Sequence, residues 1–157
     1  VTSTFVIKLG IGLAIALLGA SALQRSLAAD ALRLKEGISF VQDADNGFPI
    51  VAENFDDDTI ESGKPAFIFF GAAGDMNTNR QAKRVIDLYN SYRKQEVKFI
   101  LVDVDHPSSK GGAALVKKFY RGYVPCEVII DRKGNEHLNQ IGEVESQVLR
   151  KRLEQVL

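Results

Sequence analysis

Five consecutive apolar residues, Ala66-Phe-Ile-Phe-Phe70, stand between Pro65 and Gly71. A run this short, with no polar residue in it, reads as a strand covered by apolar groups on both faces. The residues that follow supply the cover in alternation. Gly71 to Asn79 is small and polar, a turn into a helix predicted from about Met76 to Lys94, whose Val85, Ile86, Leu88, Tyr89 and Tyr92 share one side. Val97 to Asp105 reads as the next strand. After His106-Pro107-Ser108, a second helix from about Ala113 to Tyr120 presents Leu115, Val116, Phe119 and Tyr120. Val128 to Ile130 is a strand, Asp131-Arg-Lys-Gly134 a hairpin turn, and His137 to Gly142 its antiparallel partner. Val148, Leu149, Leu153 and Val156 fall at helical spacing near residue 157. The order β-α-β-α-β-β-α predicts an α/β domain with a central mixed sheet between helices. The two β–α–β crossovers predict parallel strands, and the hairpin adds an antiparallel one.

Upstream, residues 37–63 read as a connector with some order. ISFVQ (38–42) suggests a short strand and FPIVAENF (48–55) a second. Asp43-Ala-Asp45-Asn-Gly47 resembles a calcium loop only superficially, because the Gly falls one place early and no Glu stands at the twelfth position; a turn is expected. Asp56-Asp57-Asp58 suits the solvated first turn of a short helix, where negative charge meets the positive end of the helix dipole.

Residues 1–23 carry a single charge, Lys8. Twenty residues from Thr4 to Leu23 would span about 30 Å as a helix, the thickness of bilayer hydrocarbon. Ala20-Ser21-Ala22 also has the small-x-small form of a signal-peptidase site, but the stretch is long for a signal's apolar core, so a retained single-pass anchor is expected. Gly12, Ala16 and Ala20 recur every four residues, with Gly10 and Ala14 beside them, a face on which another membrane helix can pack closely. Leu27, Ala31 and Leu34 continue a helical stripe, with Arg25, Arg33, Lys35 and Glu36 on other faces and Gly37 as a terminator. The expectation is one helix over 5–36, or two with little gap: an anchor with an amphipathic extension. Three basic residues after the span favour a cytoplasmic body by the positive-inside rule. The signal-like head favours export, and an extracytoplasmic, periplasmic body is the reading taken.

Composition removes whole classes of function. Twenty Lys and Arg balance twenty Asp and Glu, which argues against a general nucleic-acid binder. One Cys excludes an internal disulfide, a Cys-x-x-Cys pair and a thiolate cluster built from these residues alone. With His106 and His137 as the two histidines and no H-E-x-x-H, no metal site is expected. Both histidines read as structural. Lys110-Gly111-Gly112 lacks the order of a phosphate loop. No haem, flavin or iron–sulfur ligand set is present, and no cofactor is expected.

Residues 48–157 resemble the thioredoxin-like superfamily, with the domain proper over 64–157. F-I-F-F-G-A-A resembles the family's strand leading to its active-site turn and helix. F-I-L-V-D-V-D is similar to its next central strand, and Y-R-G-Y-V-P-C-E-V-I-I-D-R-K-G-N-E followed by I-G resembles its late segment. By that resemblance Pro125 is the family's cis proline, between Val124 and Cys126. Where the family carries Cys-x-x-Cys, this chain reads Asp75-Met76-Asn77-Thr78, with Asp75 at the nucleophile's place and Thr78 at the resolving one. A carboxylate can cap a helix there but cannot exchange thiols, so dithiol–disulfide chemistry is excluded.

The expected function is therefore non-catalytic: a membrane-anchored accessory subunit, without redox activity, that binds other subunits of a membrane protein complex. Its lost active-site rim, Gly74 to Thr78 with Val124-Pro125-Cys126, would bind a protein segment, and its anchor would lie in the lipid bilayer. A respiratory or photosynthetic electron-transfer complex is the expected kind of host. The alternative is a monothiol oxidoreductase or peroxidase-like protein using Cys126. A third reading is a tethered assembly chaperone that associates transiently. A small, half-buried structural residue is the plainer expectation for Cys126.

Overall fold

The computed structural model describes residues 32–52 and 58–157. The expected anchor and its small-residue face (Gly10, Gly12, Ala14, Ala16, Ala20) lie outside the described residues. Among those described, no helix is long and apolar enough to cross a membrane. Leu32–Leu157 forms one compact unit.

The apolar run becomes β3 (Ala66–Gly71), every residue of which is buried. Two short strands precede it, β1 (Leu32–Leu34) and β2 (Ile50–Ala52), and α1 (Met76–Tyr92), β4 (Lys98–Asp103), α2 (Lys110–Phe119), β5 (Cys126–Ile130), β6 (Glu136–Ile141) and α3 (Ser146–Glu154) follow. The main sheet runs β4-β3-β5-β6. Alternation along its two central strands divides the interior. Phe67, Phe69 and Ile129 pack with Val85, Leu88, Tyr89, Leu149 and Leu153 of α1 and α3. Ile68, Phe70, Cys126, Val128 and Ile130 pack with Leu115 and Phe119 of α2. The mixed sheet between helices is the architecture expected.

Four expectations need correction. The helix does not run to residue 36. Leu32-Arg-Leu34 pairs antiparallel with Ile50–Ala52, burying Leu32 and leaving Arg33 exposed, because these residues fit a two-residue period as well as a helical stripe. ISFVQ is not a strand: the Ser39 hydroxyl accepts from the Val41 and Gln42 backbone amides at 3.3 and 3.2 Å and folds the segment into a bend. Asp58 is no solvated helix cap. It is buried, outside any helix, and its carboxylate accepts from Ser109 Oγ at 2.7 Å; Asp56 and Asp57 lie outside the described residues.

The fourth correction concerns direction. β3 and β4 are parallel, as a crossover through α1 requires, but β5 runs antiparallel to β3. Phe70 faces both Val102 and Cys126, so the chain leaves β4 and enters β5 at the same end of the sheet. A ten-residue α2 with the loops on either side returns the chain to its starting level. Periodicity carries no information on this choice.

Local chemistry explains the boundaries. α2 starts a turn earlier than expected, across Lys110-Gly111-Gly112, because Ser109 caps it, accepting from Gly112 N at 2.9 Å. A Cβ on Gly112 would meet Asp58 Oδ2 at 2.8 Å, so the glycine is the price of that close approach. In the β5–β6 turn, Asp131 accepts from Asn135 and from the Lys133 amide, and His137 Nε2 lies 3.2 Å away. Those bonds, with Asn135 contributing most, hold its pKa well below the usual carboxylate range.

Candidate functional site

At the end of β3 the chain turns through Ala72 to Gly74 into α1. Gly71 lies so close to the first helical turn that a Cβ would meet Thr78 Cγ2 at 2.5 Å. Gly74 has φ +82°, a left-handed conformation that glycine adopts without strain. Asp75 is the N-cap: its Oδ1 accepts from Thr78 N at 2.5 Å. Thr78 is fully buried, with its hydroxyl 3.3 Å from Ala72 N, and thus ties the strand end to the helix start. The two positions matched to the family's active site stand together at the tip of α1, one as a cap and one as a packed spacer.

The opposite wall is the entry to β5. The Val124–Pro125 peptide bond is cis. Pro125 is buried, its carbonyl accepts from Gly142 N at 2.8 Å, and Cys126 is fully buried opposite Phe70. The thiol has Asn139 Oδ1 at 3.6 Å, and burial pushes its pKa up to about 11. At neutral pH this sulfur is a protonated thiol inside the core, the opposite of the exposed, low-pKa setting that makes a cysteine nucleophilic. Solvent meets this wall elsewhere, at Tyr123 (69% exposed) and Ile141 (46%).

Several residues here escaped sequence reasoning. Tyr120, expected only as a helix apolar position, stacks on Phe70 at 5.9 Å between ring centroids. Its pKa is raised by burial first and then by Asp105, Cys126 and Asp75, which places its hydroxyl in the field of both walls. Asp43, expected in a turn, stands just before a tight one: Asn46 N donates to Ala44 O at 2.8 Å and Gly47 has φ +79°. Its carboxylate also reaches 33 residues along the chain to accept from Met76 N at 2.9 Å, satisfying a second free amide of the helix start. No local pattern announces that contact.

The largest surprise is Glu127. It lies on the α1/α3 side of β5, fully buried, and neither carboxylate oxygen has a hydrogen-bond partner among the described residues. Burial raises its pKa to about 9; Gln81 and the Arg84 guanidinium oppose that rise without offsetting it. Arg84 is engaged elsewhere, by Glu143 and Glu145, each at 3.1 Å. The sequence signal was there: a lone Glu in V-P-C-E-V-I-I, within a strand buried on both faces.

His106 is exposed beside Asp103, and His137 lies in β6 beside Asp131. Among the described residues, no group of three or more His, Cys, Asp or Glu side chains is placed to hold a metal ion.

Solved structures share this arrangement. A malarial protein aligns with a TM-score of 0.50 and 19% identity over 60% of this chain and 98% of its own. The structure of MTB dsbF in its mixed oxidized and reduced forms aligns at 0.51 and 20% over 61% and 83%. Thioredoxin-2, a component of malaria parasite protein secretion machinery, aligns at 0.51 and 15% over 62% and 87%. The fold is thioredoxin-like. At these identities the likeness is one of fold. No family model matches the chain, and no curated protein matches it. On this thioredoxin-like scaffold, the tip where the strand meets α1 carries Asp75 and Thr78, and the one cysteine of the 157 residues is buried behind a cis proline.

Proposed function

We propose that the chain is a non-catalytic accessory subunit: a thioredoxin-like domain, tethered to a membrane by residues within 1–31, that binds and stabilises a larger membrane protein complex. The observation that carries this reading is the state of the sulfur. Thiol exchange needs an accessible thiolate, and the only Cys is fully buried with its pKa raised to about 11. Position 75, matched to the nucleophile, holds a carboxylate already committed to capping α1. What remains at this end of the domain is a rigid surface with half-exposed Gly74 to Asn77 and the exposed apolar side chains of Tyr123 and Ile141. Such a surface suits recognition of a protein segment.

In this proposal, the Thr4–Leu23 stretch, whose single charge is Lys8, lies in the bilayer and docks through Gly12, Ala16 and Ala20, with Gly10 and Ala14 alongside. The domain faces the periplasm, and an electron-transfer complex is the proposed host. The test is purification of the full chain from its native membrane in mild detergent. Co-migration with a membrane complex at fixed stoichiometry is expected. A chain that migrates alone sinks the proposal, and variable, substoichiometric association points instead to a transient chaperone.

The monothiol alternative requires Cys126 to react. Alkylation of the native protein at neutral pH is expected to be at least a hundredfold slower than of the unfolded chain. Comparable rates, together with an activity lost in Cys126→Ser, would establish the alternative.

A further inference from the structure

The segment between β1 and β2 is built as a clamp on the α1 tip. Lys35 N donates to Pro49 O at 2.8 Å and closes its base. From Arg33 to Phe48 no side chain is fully buried, so little apolar area holds the segment down. Polar contacts to the α1 end hold it. Met76 N donates to Asp43 Oδ1 at 2.9 Å and Ala44 N to Gly74 O at 3.0 Å. Asn79 Nδ2 donates to Ser39 O at 2.8 Å, and Arg80 to Phe40 O at 3.2 Å. These are contacts that a bound polypeptide makes: an acidic side chain on a helix-start amide, one main-chain donor and two main-chain acceptors.

One acceptor is left over. Asn79 is only 1% exposed, its side-chain amide faces the segment at Ser39, and its Oδ1 has no hydrogen-bond partner among the described residues. A buried acceptor in that state is costly, and native structures rarely leave one. A side-chain amide can pair with a peptide group at two points, its N–H giving to a C=O and its oxygen taking from an N–H. The segment supplies the first half of that pairing and not the second.

We propose that residues 38–46 are a displaceable strap, seated in a docking site for an extended polypeptide that offers a carboxylate side chain to Met76 N and a peptide group to Asn79. The proposal rests on the partner-binding reading and gives that partner its chemistry. The strap is an internal competitor, and a partner's apparent affinity is its intrinsic affinity multiplied by the fraction of molecules in which the strap is open.

The test uses the full chain in mild detergent. The probe is a synthetic peptide with the sequence of residues 38–47, ISFVQDADNG, and the control is the same peptide carrying Asp43→Asn. In the protein, Asp43→Ala with Ala44→Pro removes the strap's carboxylate and its main-chain donor. This variant is expected to bind the probe at least tenfold more tightly than the wild type does, and the control peptide at least tenfold more weakly than the probe. Equal binding by both proteins, indifference to the control substitution, or no binding by the variant overturns the proposal. A variant that fails to fold leaves the decision to amide exchange on the wild type. The Ala44 and Met76 amides are expected to exchange at least a hundredfold faster than those of Phe69 and Val128, since the strap opens by itself; equal rates overturn the proposal. Failure to associate with a membrane complex would sink the accessory-subunit reading and leave the peptide result standing, so the two can fail separately.

Discussion

Cys126 and Glu127 are neighbours on one strand, both fully buried and pointing to opposite faces of the sheet, and burial acts on them very differently. The thiol enters the α2 face in the neutral form it already has at pH 7, with Asn139 as a weak partner. The carboxyl enters the α1/α3 face with no hydrogen-bond partner for either oxygen among the described residues and must take up a proton to stay there. Burial thus silences the sulfur at little expense and makes the carboxyl a standing liability. The lesson is that a titratable group's burial is informative according to which protonation state the interior accepts.

The largest expected effects test whether the two faces are comparable at all. Phe69→Ala beside Glu127 and Phe70→Ala beside Cys126 should each cost about 3–5 kcal/mol in urea unfolding, as large-to-small changes at fully buried aromatics do. A cost below about 1 kcal/mol on the α2 side would mean that this face is not a true core.

Next comes Glu127→Gln. Between pH 4.5, the ordinary value, and about 9, the unfolded chain loses this proton while the folded protein keeps it. The unfolded state then binds fewer protons, so this group lowers stability as pH rises through that window. The Gln variant should match the wild type near pH 4.5 and exceed it by about 3 kcal/mol at pH 7. Denaturation curves at several pH values measure this, and parallel wild-type and variant profiles would show that Glu127 ionises freely in the fold.

Cys126→Ser is smaller: a buried hydroxyl in place of a thiol should cost about 1–2 kcal/mol and leave partner association unchanged. Asp75→Ala is the mildest, about 1 kcal/mol from a lost N-cap, read as a lowered midpoint with an unaltered m-value.

Much of this was legible in the sequence, for identifiable reasons. Ala66–Phe70 had no reading but a strand buried on both faces, and α1 followed from the spacing of Val85, Leu88, Tyr89 and Tyr92. Leu32-Arg-Leu34 was misread because three residues satisfy two periods equally well. The antiparallel entry of β5 was invisible, since a strand's pattern is the same in both directions. At the tip, Asp75 was legible through the resemblance of the surrounding motifs. Asp43 and Asn79 were not, because their meaning lies in contacts or missing contacts made only after folding, whereas Glu127 stood out as a lone carboxylate in an apolar strand and was passed over.

The same-end return of α2 also gives the molecule a front and a back. The turns after β3 and β4, the entry to β5 and the close of β6 all gather at one pole. The Asp131 turn is at the other, where Arg132 grips the Leu157 carbonyl at 2.9 Å. A dye, an affinity handle or a surface linkage placed beside Leu157 would leave the α1 tip unobstructed, so the domain comes with its own grip for immobilisation.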